Sequence, residues 1–176
     1  MVGMKPAPSL YRWFVLCALA AAPGPGAFCA APPKPPPVVL RISTLLSTRA
    51  VSLEDLEKKL VPATVKVFNP SYQQKMAYRG FWLEDVLRTF EFPKSSQAQI
   101  VFICRDGYTE VLSNGWVGRH KWLLAYEETS GSWTPLVQGR QAISPAPWYL
   151  VGSKQSSFGD FPWPYAVVGI KSLNNW

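Results

Sequence analysis

The run Ile100-Val-Phe-Ile-Cys-Arg-Asp-Gly-Tyr-Thr-Glu-Val-Leu-Ser113 constrains this chain more than any other stretch. Ile100 to Ile103 is continuously apolar, as a strand buried on both faces requires. Asp106-Gly107 is a tight-turn dipeptide, and Tyr108 to Leu112 alternates as a strand with one wet face does. A strand, a turn and a returning strand are therefore predicted, and the fold has to contain a sheet.

The N-terminus is set apart from any such fold. Lys5 and Arg12 precede an apolar run, Trp13 to Ala22, which is followed by small residues and prolines. Residues 1–31 read as a secretory signal peptide, cut after Ala22 or near Cys29 or Ala30. The run is shorter than the roughly 20 residues a membrane span needs. Residues 32–37, rich in proline, read as a polyproline II spacer. One domain is expected over 38–176, in a periplasmic or secreted protein that meets a membrane only through an uncleaved signal. Removing residues 1–31 takes away Lys5 and Arg12, leaving 16 basic and 11 acidic residues and a formal charge of +5. The surplus is spread out except at Arg119-His120-Lys121, and no nucleic-acid role is expected. Cys104 is the one cysteine clearly inside the domain, so no internal disulfide framework can form.

Further elements follow from periodicity. Val38 to Ile42 and Thr64 to Phe68 read as strands. Ser52 can cap a helix whose Leu53, Leu56 and Leu60 share a face, with Pro62 as its stop. Leu83, Val86, Leu87 and Phe90 mark a second amphipathic helix, preceded by Arg79-Gly80 and ended by Pro93. From Gln99 onward the chain reads as strands and ordered loops. The fold class is α+β, mostly mixed or antiparallel β with two or three short helices. Seven tryptophans fall after the signal, and core and rim packing accounts for them; a stacking or redox surface built on Trp116, Trp148 and Trp163 is the sharper alternative.

Standard catalytic patterns are missing. The single histidine, His120, cannot build a histidine metal site, and no HExxH, CxxC, phosphate-cradling glycine loop or GxSxG occurs. Glu84-Asp85 and Glu127-Glu128 are adjacent and so point apart. Cys104 reads as a core thiol, and His120 as a surface residue in a loop containing Gly115 and Gly118.

The order of segments resembles the sulfite-oxidase-type molybdopterin-binding oxidoreductase domain. Tyr78-Arg-Gly-Phe-Trp-Leu-Glu-Asp-Val-Leu87 is similar to its glycine-led helix start, Asp106-Gly107-Tyr108 to its DGY turn, and Leu123-Leu-Ala-Tyr126 to its LLAY strand. Pro135-Leu136 with Gly139, and Trp163-Pro-Tyr165 through Leu173, resemble its later segments. The resemblance implies that fold and a molybdopterin cofactor held by a cysteine thiolate ahead of the glycine-led helix. Here that stretch, Val65 to Ala77, has no cysteine. The expectation is a binding or accessory protein of a redox or respiratory system without catalytic molybdenum, its old cofactor loops lined by Arg105, Tyr108, Trp116, Arg119, His120 and Lys121. A small anion or a redox protein would be its partner. The alternative is an active molybdenum-cofactor oxidoreductase with unusual ligation.

Overall fold

The computed structural model describes residues 38–153 and 163–173. The expected signal peptide and proline spacer lie outside them. In chain order the elements are β1 (Val39–Ser43), β2 (Thr48–Ser52), α1 (Leu53–Glu57), β3 (Ala63–Asn69), β4 (Gln74–Trp82), α2 (Leu83–Thr89) and β5 (Gln99–Cys104). They continue with β6 (Thr109–Ser113), α3 (Asn114–His120), β7 (Trp122–Glu128), β8 (Leu136–Gln138), β9 (Gln141–Ile143), β10 (Tyr149–Gly152) and β11 (Val167–Leu173). The fold is α+β, with mixed but mostly antiparallel sheets and three short helices.

One sheet has the order β2-β1-β11-β5-β6, and its only parallel pair is β1 with β11. The second has the order β10-β7-β4-β3 and is antiparallel throughout. β8 and β9 form a separate hairpin. Because side chains alternate across a strand, each sheet offers one apolar face to a shared core. Leu40, Ile42, Ile100, Phe102 and Ile170 come from the first sheet, and Phe81, Trp122, Leu124 and Leu150 from the second. Leu56 of α1, Leu83 and Val86 of α2 and Val117 of α3 join the same cluster. The opposite face of the second sheet carries its own cluster of Val67, Met76, Tyr78, Leu123, Ala125, Tyr149 and Val151.

The predicted hairpin forms as expected. Gly107 has φ +88, Cys104 N–H bonds Tyr108 O at 2.9 Å, and Asp106 Oδ1 accepts from Tyr108 N–H at 2.9 Å. Its two strands pair from Gln99↔Ser113 to Ile103↔Thr109. The α1 cap also forms: Ser52 Oγ accepts from Asp55 N–H at 3.1 Å, and Asp55 Oδ2 accepts from Ser52 N–H at 3.1 Å. The Ser52 hydroxyl and amide hold the Asp55 carboxyl below its ordinary value. That contribution is present above the unfolded carboxylate's pKa and fades as pH falls through the lowered folded value. Ser52→Ala should lower the melting temperature at pH 7 and move the Asp55 titration upward in NMR. An unmoved titration would refute the reciprocal cap.

Several elements differ from expectation, among them α1, which ends at Glu57 short of Leu60 and Pro62. Arg79-Gly80 precedes the second helix as expected, but from inside β4, and α2 begins at Leu83. β2 and the first half of β4 were not anticipated, because Thr48 to Ser52 and Gln74 to Ala77 lack a clean apolar alternation. Residues 114–120, expected as a loop, form α3. Ser113 caps it by accepting from Trp116 N–H at 3.2 Å. Gly115 lets the helix lie against Ser96, whose Cβ would be 3.0 Å from any Cβ placed there. The second helix stops at Thr89, ahead of Pro93, where Phe90 leaves helical geometry and Glu91 takes φ +57.

Candidate functional site

The six expected site residues fall into two groups. Arg105 and Tyr108 flank the β5–β6 turn, where the Arg105 guanidinium donates to Ala146 O at 3.0 Å. Trp116, Arg119, His120 and Lys121 belong to α3 and its C-cap, where Lys121 O accepts from Ser153 N–H at 3.1 Å and Ser153 Oγ at 2.5 Å. Ala146 precedes β10 and Ser153 follows it, so the groups sit at opposite ends of that strand. The structure brings four of the six together and leaves two apart.

The turn group is electrically mixed. Asp106 receives the Tyr165 hydroxyl at 3.4 Å, and the exposed Tyr108 phenol donates to Glu110. That bond to Glu110, with some burial, pushes the Tyr108 pKa up to about 12. The α3 group is purely basic. Arg119 is exposed, and the half-buried His120 ring packs on Trp116 with centroids 4.6 Å apart. Lys121 takes φ +46, the left-handed conformation that ends a helix. Cations at a helix C-terminus also balance its dipole, which is a sufficient structural reason for their presence. A cavity of about 540 Å³ runs beside α3, lined by Arg88, Glu91, Phe92, Lys94, Val117 and Gly118 among others. Among the described residues, none of the six expected site residues lines that cavity, the second of about 540 Å³ by the β1–β2 turn, or the third of about 420 Å³.

Cys104 is buried at the end of β5. Burial, then the charges of Asp106 and Glu110, push its pKa up to about 12, the reverse of what a thiolate ligand or nucleophile needs. Among the described residues no group of three or more His, Cys, Asp or Glu side chains is placed to hold a metal ion. In the family that the resemblance implies, a cysteine thiolate ligates the molybdenum, and Cys104, buried with its pKa raised, does not fit that role.

Sequence reasoning missed a polar network on the outer face of the second sheet. Asn69, fully buried, donates through Nδ2 to the Tyr78 hydroxyl at 2.7 Å and the Tyr149 hydroxyl at 3.1 Å. Its Oδ1 accepts from Ser71 N–H at 2.9 Å. Burial pushes the Tyr149 pKa up to about 12 and raises those of Tyr78 and Tyr72 as well. Nearby, the buried Glu128 accepts from Ser130 Oγ at 2.6 Å, Thr134 N–H at 2.9 Å and Thr134 Oγ1 at 3.0 Å. Its neighbour Glu127 instead faces Arg79 at 3.8 Å, so the adjacent carboxylates do diverge. Asn69-Pro70 could only be read as a strand end, because its tyrosine partners are 9 and 80 residues away.

The tryptophans pack. Trp122 and Trp148 are fully buried, while Trp116 and Trp163 are half-buried against the central core. Trp163 touches both clusters, and Trp133 lies on the outer one beside Tyr78 and Tyr149. Trp176 lies outside the described residues.

Neither a protein-family model nor a curated protein matches this sequence.

Proposed function

We propose that this chain is an exported, cofactor-poor relative of the molybdopterin-binding oxidoreductase domain, acting as a binding or accessory module of a redox or respiratory system. The order of its segments supports the kinship, and the basic, proline-flanked N-terminal apolar run supports export. The observation that carries the non-catalytic reading is Cys104: it is buried, its pKa is raised, and no cysteine stands in Val65 to Ala77. Binding falls to the α3 face. Arg119 and Lys121 flank the stacked Trp116 and His120 there, and α3 itself contains no acidic residue. Such a face suits an anion or the acidic surface of a redox partner, attracting it from a distance and weakening with salt.

The deciding experiment is elemental analysis with a pterin fluorescence assay on protein exported from its native host. Neither molybdenum nor pterin should appear in stoichiometric amount. Stoichiometric molybdenum would overturn the reading and favour an active enzyme with unusual ligation.

A further inference from the structure

A line of aromatic rings crosses the second sheet from one side to the other. It starts at His120 and Trp116, with centroids 4.6 Å apart, and passes to Trp122 at 5.2 Å. Trp122 reaches Trp163 at 6.4 Å, and Trp163 reaches Tyr149 at 5.9 Å. Tyr149 then meets Trp133 at 6.4 Å and Tyr78 at 5.7 Å. Both ends, Trp116 and Trp133, are half-exposed, whereas Trp122 and Tyr149 in the middle are fully buried. Packing explains each contact singly. It does not require the contacts to join the inner core cluster to the outer one, which they do through Trp163.

We propose that this line of rings conducts single electrons between the α3 face and the Trp133 loop. Electron tunnelling falls off exponentially with separation, and neighbouring rings in contact divide one long crossing into short ones. A high-potential one-electron oxidant at the α3 face, of the class of a ruthenium(III) polypyridyl or a ferryl centre, takes an electron from Trp116 and is reduced by one unit, leaving the indole as a radical cation. Trp122 refills Trp116, Trp163 refills Trp122, and Trp133 refills Trp163 across the Tyr149 ring. Trp133 finally loses its indole N–H proton to water and remains as a neutral radical. The balance is one electron gained by the oxidant, one lost by Trp133 and one proton released. A one-electron reductant docking at the Trp133 loop supplies the electron, and one proton taken back from water restores the indole N–H.

Two features set where the charge rests. A cation in an apolar interior is costly, so the fully buried Trp122 is a point of passage and the half-exposed indoles are resting places. Tyr149 can yield an electron readily only if its phenol proton leaves, yet its hydrogen-bonding partners are the Asn69 amide and the Ser71 side chain, neither of which is a base. Its pKa of about 12 agrees with a phenol that keeps its proton and serves as a bridge. The basic residues Arg119 and Lys121 would seat an acidic oxidised partner at the Trp116 end. The electron path rests on the rings and stands or falls separately from the kinship proposed above; only the seating of an acidic partner rests on the α3 face proposed there.

The test uses the full chain with Cys17→Ser and Cys29→Ser, leaving the buried, unreactive Cys104 in place. A ruthenium polypyridyl photo-oxidant is tethered to the thiol introduced by Arg119→Cys, at an exposed position on α3. After flash oxidation with a sacrificial electron acceptor, the expected results are a tryptophan radical in electron paramagnetic resonance and an oxidation product at Trp133 by peptide mass spectrometry. Trp122→Phe should remove most of the Trp133 product and raise that at Trp116. Trp163→Phe, at a half-buried site that tolerates the smaller ring better, reads the same path should the first variant fold poorly. Absence of Trp133 oxidation in the parent, or its persistence at full level in a folded Trp163→Phe variant, would overturn the proposal.

Discussion

Gly80→Ala should destabilise the protein by about 3 kcal/mol or prevent its folding, since overpacking against atoms that cannot move is costly. A Cβ at position 80 would lie 2.3 Å from Leu124 O and 2.6 Å from Ala125 Cα. Both are backbone atoms of β7, the central partner of β4, so no rotamer change can relieve the clash. The β4–β7 register shifts between Arg79 and Gly80, and the missing side chain lets the two backbones close around that irregularity. Relief would mean parting the strands on which both clusters of the second sheet are built. Gly118→Ala serves as the control, because a Cβ there meets nothing within 4 Å. Chemical denaturation of the two variants decides the matter. Equal midpoints would show that the close approach is not what fixes glycine at position 80.

Asn69→Ala should cost about 3 kcal/mol, because a buried polar group left without its partner costs about 1–3 kcal/mol and two phenols are affected. Asn69 supplies a donor to both the Tyr78 and Tyr149 hydroxyls and an acceptor to Ser71 N–H. Each phenol keeps one other bond: Tyr78 donates to Met76 Sδ at 3.1 Å, and Tyr149 is bonded to the Ser71 side chain. Tyr149→Phe removes its own hydroxyl together with that group's demand and should cost about 1 kcal/mol. The order of the two variants is the telling result. A phenylalanine substitution that proved as harmful as the loss of Asn69 would move the weight of this site from hydrogen bonding to ring packing. Because Asn69 lowers the Tyr149 pKa against the pull of burial, its loss should also raise that pKa further, measurable by ultraviolet titration of phenolate.

Much of the fold was legible wherever a short period carried it. The Asp106-Gly107 hairpin, the capping pair Ser52 and Asp55 and the apolar face of Leu83, Val86 and Leu87 are local patterns whose partners lie a few residues away. α3 was not legible, because two glycines in seven residues argue against a helix. What holds it is non-local: Asn114 Nδ2 donating to Pro93 O at 3.1 Å, and Gly115 N–H bonding Ser96 O at 3.0 Å. The candidate site followed the same rule. Arg119, His120 and Lys121 are neighbours in sequence and stay together in space. Arg105 and Tyr108 join them only through the expected outline of a pocket.

The run from Ile100 to Ser113 determined by itself that a sheet would form and where its chain would turn, since alternation and turn chemistry act within a few bonds. Among the described residues Cys104 is also the one cysteine, so it has no partner there for a disulfide. Only the tertiary structure decided that Cys104 faces the core with its pKa raised, and that Trp116, Trp122, Trp163 and Trp133 fall into one line of rings. It also placed Asn69 between two phenols from distant strands. Burial, and contact between strands far apart in sequence, are products of sheet register and the crossing of layers, which no short window of sequence contains.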